Sequence, residues 1–232
     1  METSDQTGRF VVFTGHWSDN TKRITLPGPV TRDFIACADG GYTICKTAGL
    51  KPDVVIGDFD SLTAEQIAEI DDLGIKRIAH PCEKNETDTL LCVKYGLSLG
   101  FDSFLIIGGI GGDFSHTMAN LQVLSFLTDM ECTAEIVTET ERFKMIDGET
   151  VSAVRGPKPA IPLSIQGAPG EKFSVFSYAE RSSGVGIKNA RYELNDAVLT
   201  QSYPVGVSNE FTEKGAAEVS VRYGRLLIIT GR

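Results

Sequence analysis

The chain has 232 residues, is 41% hydrophobic and carries a formal net charge of −9. That charge argues against nucleic acid as a partner, because phosphate backbones require basic patches, and no apolar run reaches the length of a membrane-spanning helix. The start of the chain lacks the basic and apolar stretches of a secretory signal. The five scattered cysteines (Cys37, Cys45, Cys82, Cys92 and Cys132) form no Cys-x-x-Cys pair, so a cytoplasmic protein with reduced thiols is expected.

Phe10-Val11-Val12-Phe13 predicts a strand ending at Thr14-Gly15, and Phe34 to Ala38 a second, ending at Asp39-Gly40-Gly41. Val54-Val55-Ile56 predicts a third, because a short β-branched run without alternation reads as a buried parallel strand. Thr63-Ala64-Glu65-Gln66 is a capping box that opens a helix toward Leu73, with Gly74 as its stop. Ile75 to Ile78 is a weaker strand. Thr87 to Leu99 carries an apolar helical face ended by Gly100. Phe104 to Ile107 is a strand leading into Gly108-Gly109-Ile110-Gly111-Gly112, followed by a helix from His116 to Leu127 and a strand at Glu135 to Val137. Strands alternating with helices predict a doubly wound, mostly parallel, Rossmann-like sheet over residues 1–145.

Beyond Lys144 the pattern changes. Gly148 to Gly170 is rich in Pro and Gly, and short alternating runs follow at Phe173 to Tyr178, Val185 to Leu194, Ala197 to Gln201, Glu218 to Tyr223 and Arg225 to Thr230. These predict a small antiparallel β-sandwich over 146–232.

The chemistry gathers at strand ends. An extended backbone turns residues two apart the same way, so Asp58 and Asp60 can face one point, where a hard cation such as Mg²⁺ would relieve their repulsion. The competing reading, a turn with a helix cap, is equally open on these residues alone. Asp39 and Asp88 add carboxylates at the same sheet edge. The glycines from Gly108 to Gly112 allow close approach of backbone N–H groups to an anion, although they match neither a dinucleotide fingerprint nor a P-loop. Lys84 offers a full positive charge, and His116 and Asn120 share a helix face. His16 and His80 are read as loop residues, and Trp17 carries no argument of its own.

In this order, Asp39-Gly40-Gly41, Gly57-Asp58-Phe59-Asp60-Ser61, Lys84-x-x-Thr87-Asp88, Gly-x-x-Gly-Gly leading to His116, and Ser208-Asn209 resemble the thiamine pyrophosphokinase family. The resemblance covers nearly the full length. It implies transfer of pyrophosphate from ATP to thiamine, giving thiamine diphosphate and AMP, with Mg²⁺ required. It implies that Asp58, Asp60 and Asp88 are catalytic and bind metal. Asp39, Gly40, Gly41, Lys84, Thr87, Gly108, Gly109, Gly111, Gly112, His116 and Asn120 would form the nucleotide site, and Ser208 and Asn209 would contact thiamine. It further implies a homodimer whose active site is shared between chains. The loop departs from the family pattern: Asp113 stands where an arginine is expected, and Ser115 where an aspartate is. Asn85 also replaces a more usual aspartate. Two other readings stay open: a haloacid-dehalogenase-like phosphatase, and a catalytically altered nucleotide-binding sensor of the same fold.

Overall fold

The computed structural model describes residues 8–17, 24–28, 32–81, 85–152 and 156–232. Lys84 and Cys82 lie outside the described residues. Contacts divide the chain into two compact units, Met1–Glu139 and Thr140–Arg232.

In the first unit the elements run β1 (Phe10–Phe13), β2 (Phe34–Ala38), α1 (Gly41–Thr47), β3 (Val54–Gly57), α2 (Ala64–Asp72), β4 (Lys76–Ala79), α3 (Asp88–Ser98), β5 (Ser103–Ile107), α4 (Phe114–Asp129) and β6 (Thr133–Val137). The sheet order is β6-β5-β1-β2-β3-β4, and every pairing within it is parallel. Successive strand residues serve opposite faces. Val11 and Phe13 join one core with Tyr42, Ile44 and Cys45 of α1 and Ile70 of α2. On the other face Phe10 stacks on Phe34 at 5.3 Å between ring centroids and meets Tyr95, Phe101 and Phe104. With both faces covered, β1 and β3 are buried along their whole length, which is why they read as unbroken apolar runs. β4 differs: Lys76 and Arg77 are exposed, as suits an edge strand that must not recruit another chain.

The helix signals mostly agree with the structure. Thr63 Oγ1 accepts from Gln66 N at 3.2 Å and Gln66 Oε1 accepts from Thr63 N at 2.9 Å, so the capping box is formed. α4 starts at Phe114, two residues before the expected His116, because the Asp113 side chain caps it by accepting from Ser115 N at 2.7 Å. α1 was not expected. Its seven residues are too few to display a period, and they open on glycine, a weak helix former.

The second unit runs β7 (Glu141–Asp147), β8 (Thr150–Ser152), β9 (Gly156–Lys158), β10 (Leu163–Gln166), β11 (Lys172–Ser177), β12 (Arg181–Lys188), β13 (Leu194–Thr200), β14 (Asn209–Glu210), β15 (Ala216–Ser220) and β16 (Arg225–Gly231). Antiparallel pairings give the orders β14-β11-β16-β7 and β10-β15-β12-β13. Phe173, Val175, Leu226 and Ile228 from the first set share a core with Ile165, Val185, Ile187, Leu199 and Val219 from the second, so the unit is a β-sandwich. The single strand expected from Val185 to Leu194 is instead the end of β12 and a turn, broken at Asn189, whose φ is +60°.

Gly96 sits in the last turn of α3, where alanine would ordinarily gain up to about 1 kcal/mol of helix stability. Here a β-carbon would lie 2.7 Å from Phe10 Cγ and 2.8 Å from Phe104 Cε1, rings already fixed by their neighbours. Overpacking of this kind costs about 1–3 kcal/mol, which outweighs the helical gain. Gly96→Ala is therefore expected to lower stability by roughly 1 kcal/mol in urea unfolding, with Gly96→Val worse; a stabilised Gly96→Ala would show that the helix does not rest on those rings.

Candidate active site

From β1 to β4 the strands step outward in one direction, whereas β5 and β6 lie on the other side of β1. Connections leaving β1 and β5 thus diverge, and a crevice opens beyond their carboxyl ends. A cavity of about 560 Å³ occupies that place. It is lined by Thr14, Gly15 and His16 after β1, by Asp39 and Gly40 after β2, and by Ser61. Asn85 to Thr89 around the start of α3 and Gly109, Gly111, Asp113, His116 and Asn120 after β5 complete the wall.

The acidic cluster forms beside it. One oxygen from each of Asp39, Asp58 and Asp60 lies within 4.8 Å of the other two. The expected reason for Asp58 and Asp60 meeting, an extended strand, does not hold. β3 ends at Gly57, Phe59 has φ of +65°, and Asp60 N donates to Asp58 Oδ1 at 3.3 Å, so the two carboxylates converge across a turn. Phe59 anchors that turn by packing on the core and under the Arg77 guanidinium, 5.5 Å from its ring centre.

The third member of the trio is Asp39, which the sequence offered alongside Asp88, whereas the family resemblance implied Asp88. Asp88 is close all the same: a β-carbon at Gly57 would lie 2.9 Å from Asp39 Cβ and 3.3 Å from Asp88 Oδ1. Glycine at 57 is what allows both acidic side chains to crowd the end of β3. Asp39 itself is 6% exposed, with φ of +42°. Its Oδ2 accepts from Ser61 N at 3.3 Å, while Oδ1 is buried with no hydrogen-bond partner among the described residues. Burial raises the Asp39 pKa from its ordinary value and the Asp88 charge adds to this, against hydrogen bonds from Ser61 and Gly40 that lower it. An orphaned oxygen on buried Asp39, beside half-buried Asp58 and exposed Asp60, fits a hard divalent cation such as Mg²⁺ that keeps some of its water.

Gly108, Gly109, Gly111 and Gly112 all have positive φ. Asn120, buried on α4, donates from Nδ2 to Gly109 O at 2.8 Å, and Thr117 Oγ1 accepts from Gly111 N at 2.9 Å. The loop is thus tied to the helix that follows, whose N-terminus borders the cavity at Asp113 and His116. Gly41 and Gly108 have another task. Their β-carbons would fall 2.0 Å from Phe13 O and 2.1 Å from His16 O, so these glycines let backbones touch and do not line the cavity. Thr87 lines it and caps α3, accepting from Leu90 N at 3.3 Å. Asp113 is committed to capping α4, which gives the aspartate at this loop position a structural task. His16, which had been read as a plain loop residue, lines the cavity. A lone histidine in a loop has no period or spacing that would have marked it.

In the second unit Ser208 and Asn209 border a separate pocket of about 430 Å³ with Ile187, Tyr192, Leu194, Leu199 and Val205 to Val207. Asn209 is 5% exposed, and its side chain accepts from Tyr192 N at 3.0 Å and donates to Tyr192 O at 2.8 Å. It shapes the wall. Ser208, at φ of +58°, donates its N–H to Ser174 Oγ at 3.1 Å.

A carboxyl whose folded pKa is raised contributes stability that is complete below its unfolded pKa and is lost as pH rises through the folded value. Ionised Asp39 therefore weighs against the fold near neutrality when no cation is bound. Asp39→Asn is expected to raise Tm at pH 7 in chelator, to match the parent protein at acid pH where Asp39 is protonated, and to lose the Tm increment given by Mg²⁺. A lower Tm at pH 7, measured by calorimetry, would contradict this account.

Residues 30–137 match the family described as thiamin pyrophosphokinase, catalytic domain, and residues 161–226 match its vitamin B1 binding domain. The thiamine pyrophosphokinase of Bacillus subtilis strain 168 is 22% identical over 173 residues, covering 74% of this chain and 75% of the relative. The crystal structure of a Bacillus subtilis thiamine pyrophosphokinase superposes with a TM-score of 0.80 at 20% identity, covering 97% of this chain and 98% of the other. A thiamin pyrophosphokinase family protein from Enterococcus faecalis gives 0.77 at 22% identity, covering 97% and 99%. Asp58 follows the third strand in chain order, where the phosphatase reading needs the first. With two successive domain matches of one family and the same fold over nearly its whole length, the chain belongs to the thiamin pyrophosphokinase family of transferases.

Proposed function

We propose that the protein transfers pyrophosphate from ATP to the hydroxyethyl oxygen of thiamine. The alcohol oxygen bonds to the β-phosphorus, the bond between that phosphorus and the oxygen bridging to the α-phosphate breaks, AMP leaves, and the alcohol proton passes to solvent or a carboxylate. The observation that carries this reading is the carboxylate trio of Asp39, Asp58 and Asp60, set beside a cavity walled by a glycine loop and a helix N-terminus. Such transfer needs positioning and charge neutralisation more than covalent help. Asp39, Asp58 and Asp60 would hold Mg²⁺, with Asp88 beside them across Gly57. The ion supplies neutralisation of the polyphosphate charge when bound. Gly108 N, Gly109 N and Gly111 N already donate to Val137 O, His16 O and Thr117 Oγ1, so the remaining loop amides and the α4 N-terminus would donate to phosphate oxygens, and Thr87 and Asn120 keep the surrounding walls in place.

On this reading residues 1–145 act as the catalytic and nucleotide-binding domain and 146–232 as the thiamine-binding domain. The Ser208 pocket takes the cationic acceptor, for which a chain of net charge −9 is suited. The active form is a homodimer whose site draws on both chains, and the protein works in the cytoplasm. Among the described residues no helix is long and apolar enough to cross a membrane.

The direct test is incubation with ATP, Mg²⁺ and thiamine, with AMP and thiamine diphosphate expected in equal amounts. Nucleotide binding without AMP release would instead favour a sensor. Asp58→Asn and Asp60→Asn are each expected to lower kcat by about 100-fold or more, the scale lost when a group that stabilises transition-state charge is removed, with Tm preserved. Full activity in both would remove the metal role. If the site is shared, equal mixtures of inactive Asp58→Asn and Ser208→Tyr chains, unfolded and refolded together, regain about a quarter of wild-type turnover, the share of intact composite sites in random dimers. No recovery, with mixed dimers demonstrated, would place each site within one chain.

A further inference from the structure

We infer that His16 is a phosphate-binding residue of the nucleotide site; this rests on the ATP-dependent reading above. The cavity is acidic. Of its charged lining residues among those described, Asp39, Glu86, Asp88 and Asp113 are carboxylates, and only His16 and His116 can carry a positive charge. A polyphosphate entering there meets repulsion that a divalent ion and backbone donors must offset, so each imidazole donor matters. Of the two histidines, His116 is exposed on the first turn of α4, whereas His16 is held in place.

Several contacts hold it. His16 O accepts from Gly109 N at 3.3 Å, which joins the segment after β1 to the loop after β5. The next residue, Trp17, is buried in the core at 7% exposure and fixes the chain on its other side. The ring lies against the glycine loop: a β-carbon at Gly111 would sit 2.8 Å from Nε2, and one at Gly112 2.7 Å from Nδ1. The loop therefore omits side chains at the two positions where the imidazole packs, and His16 borders one cavity together with Gly109 and Gly111. A donor already immobilised beside the amides loses little freedom on meeting a phosphate oxygen, and this makes it effective in binding.

The test separates packing from binding by comparing His16→Phe and His16→Gln with the parent protein. Phenylalanine keeps a flat ring against Gly111 and Gly112 but has no nitrogen, and glutamine restores a donor without the ring. We expect His16→Phe to fold with an unchanged Tm and to raise KM for ATP, and the Kd of a non-hydrolysable ATP analogue with Mg²⁺, by about tenfold, the scale of one hydrogen bond to a charged group. KM for thiamine should stay within twofold, and His16→Gln should recover part of the loss. His16→Phe with parental nucleotide affinity would overturn the assignment and leave His16 a packing residue. Should His16→Phe fail to fold, an unchanged analogue Kd in the smaller His16→Ala, which has no donor, would overturn it equally. A parent protein that binds no ATP analogue at all would instead overturn the proposed function and the inference with it.

Discussion

The site is organised around mutual repulsion of carboxylates held within 4.8 Å of one another. Nothing in an isolated chain would bring Asp39, Asp58 and Asp60 together, and Asp88 crowds the same strand end. The fold compels it. Burial of β2 and β3 on both faces fixes where those strands stop, and the residues past each stop have no choice of direction. Two of them, Asp39 and Phe59, take left-handed backbone conformations that non-glycine residues avoid. Core packing thus sustains both an electrostatic and a conformational cost at one edge of the sheet. A bound divalent cation is the simplest agent that would turn the electrostatic cost into an attraction.

The glycines in this unit follow from the same crowding. Gly57 leaves room for Asp39 and Asp88, Gly41 for the end of β1, Gly108 for the His16 carbonyl, and Gly111 and Gly112 for the His16 ring. In each case a side chain would be displaced by another group, so the glycines record close approaches between segments far apart in sequence. A flexible loop would not need them at those places. The glycine-rich run after β5 is a fitted surface, tied at Gly109 by Asn120 and at Gly111 by Thr117.

The pattern of what could be read from sequence follows from which interactions are local. The central strands β1, β2, β3 and β5 were plain, because burial on both faces demands unbroken apolar runs, whereas the exposed edge strand β4 gave a weaker signal. The α2 boundaries were plain too, since Thr63 and Gln66 satisfy backbone groups three residues away. α1 was hidden because it is stabilised by packing of Tyr42, Ile44 and Cys45 and by no local signal. The grouping of Asp39 with Asp58 and Asp60 depends on the pairing of β2 with β3. His16 depends on the pairing of β1 with β5. Neither contact has a trace within its own segment, whereas Asp58 and Asp60, two apart, are brought together by their own turn.

The aspartate at 113 shows how one position can trade chemistry for structure. Its side chain caps a sixteen-residue helix whose N-terminus borders the cavity. A cap there satisfies an N–H that would otherwise be available to an anion, and it adds a negative charge beside the place where phosphate would bind. Both effects weaken anion binding at that end of the loop. Gly108 N, Gly109 N and Gly111 N are themselves engaged within the fold, so a nucleotide site built on this chain must rely on the remaining loop amides, a metal on the carboxylate trio, and groups that other segments bring to the same wall. The sequence after β1 supplies such a group, and it reaches the wall only because β1 and β5 are neighbours in the sheet.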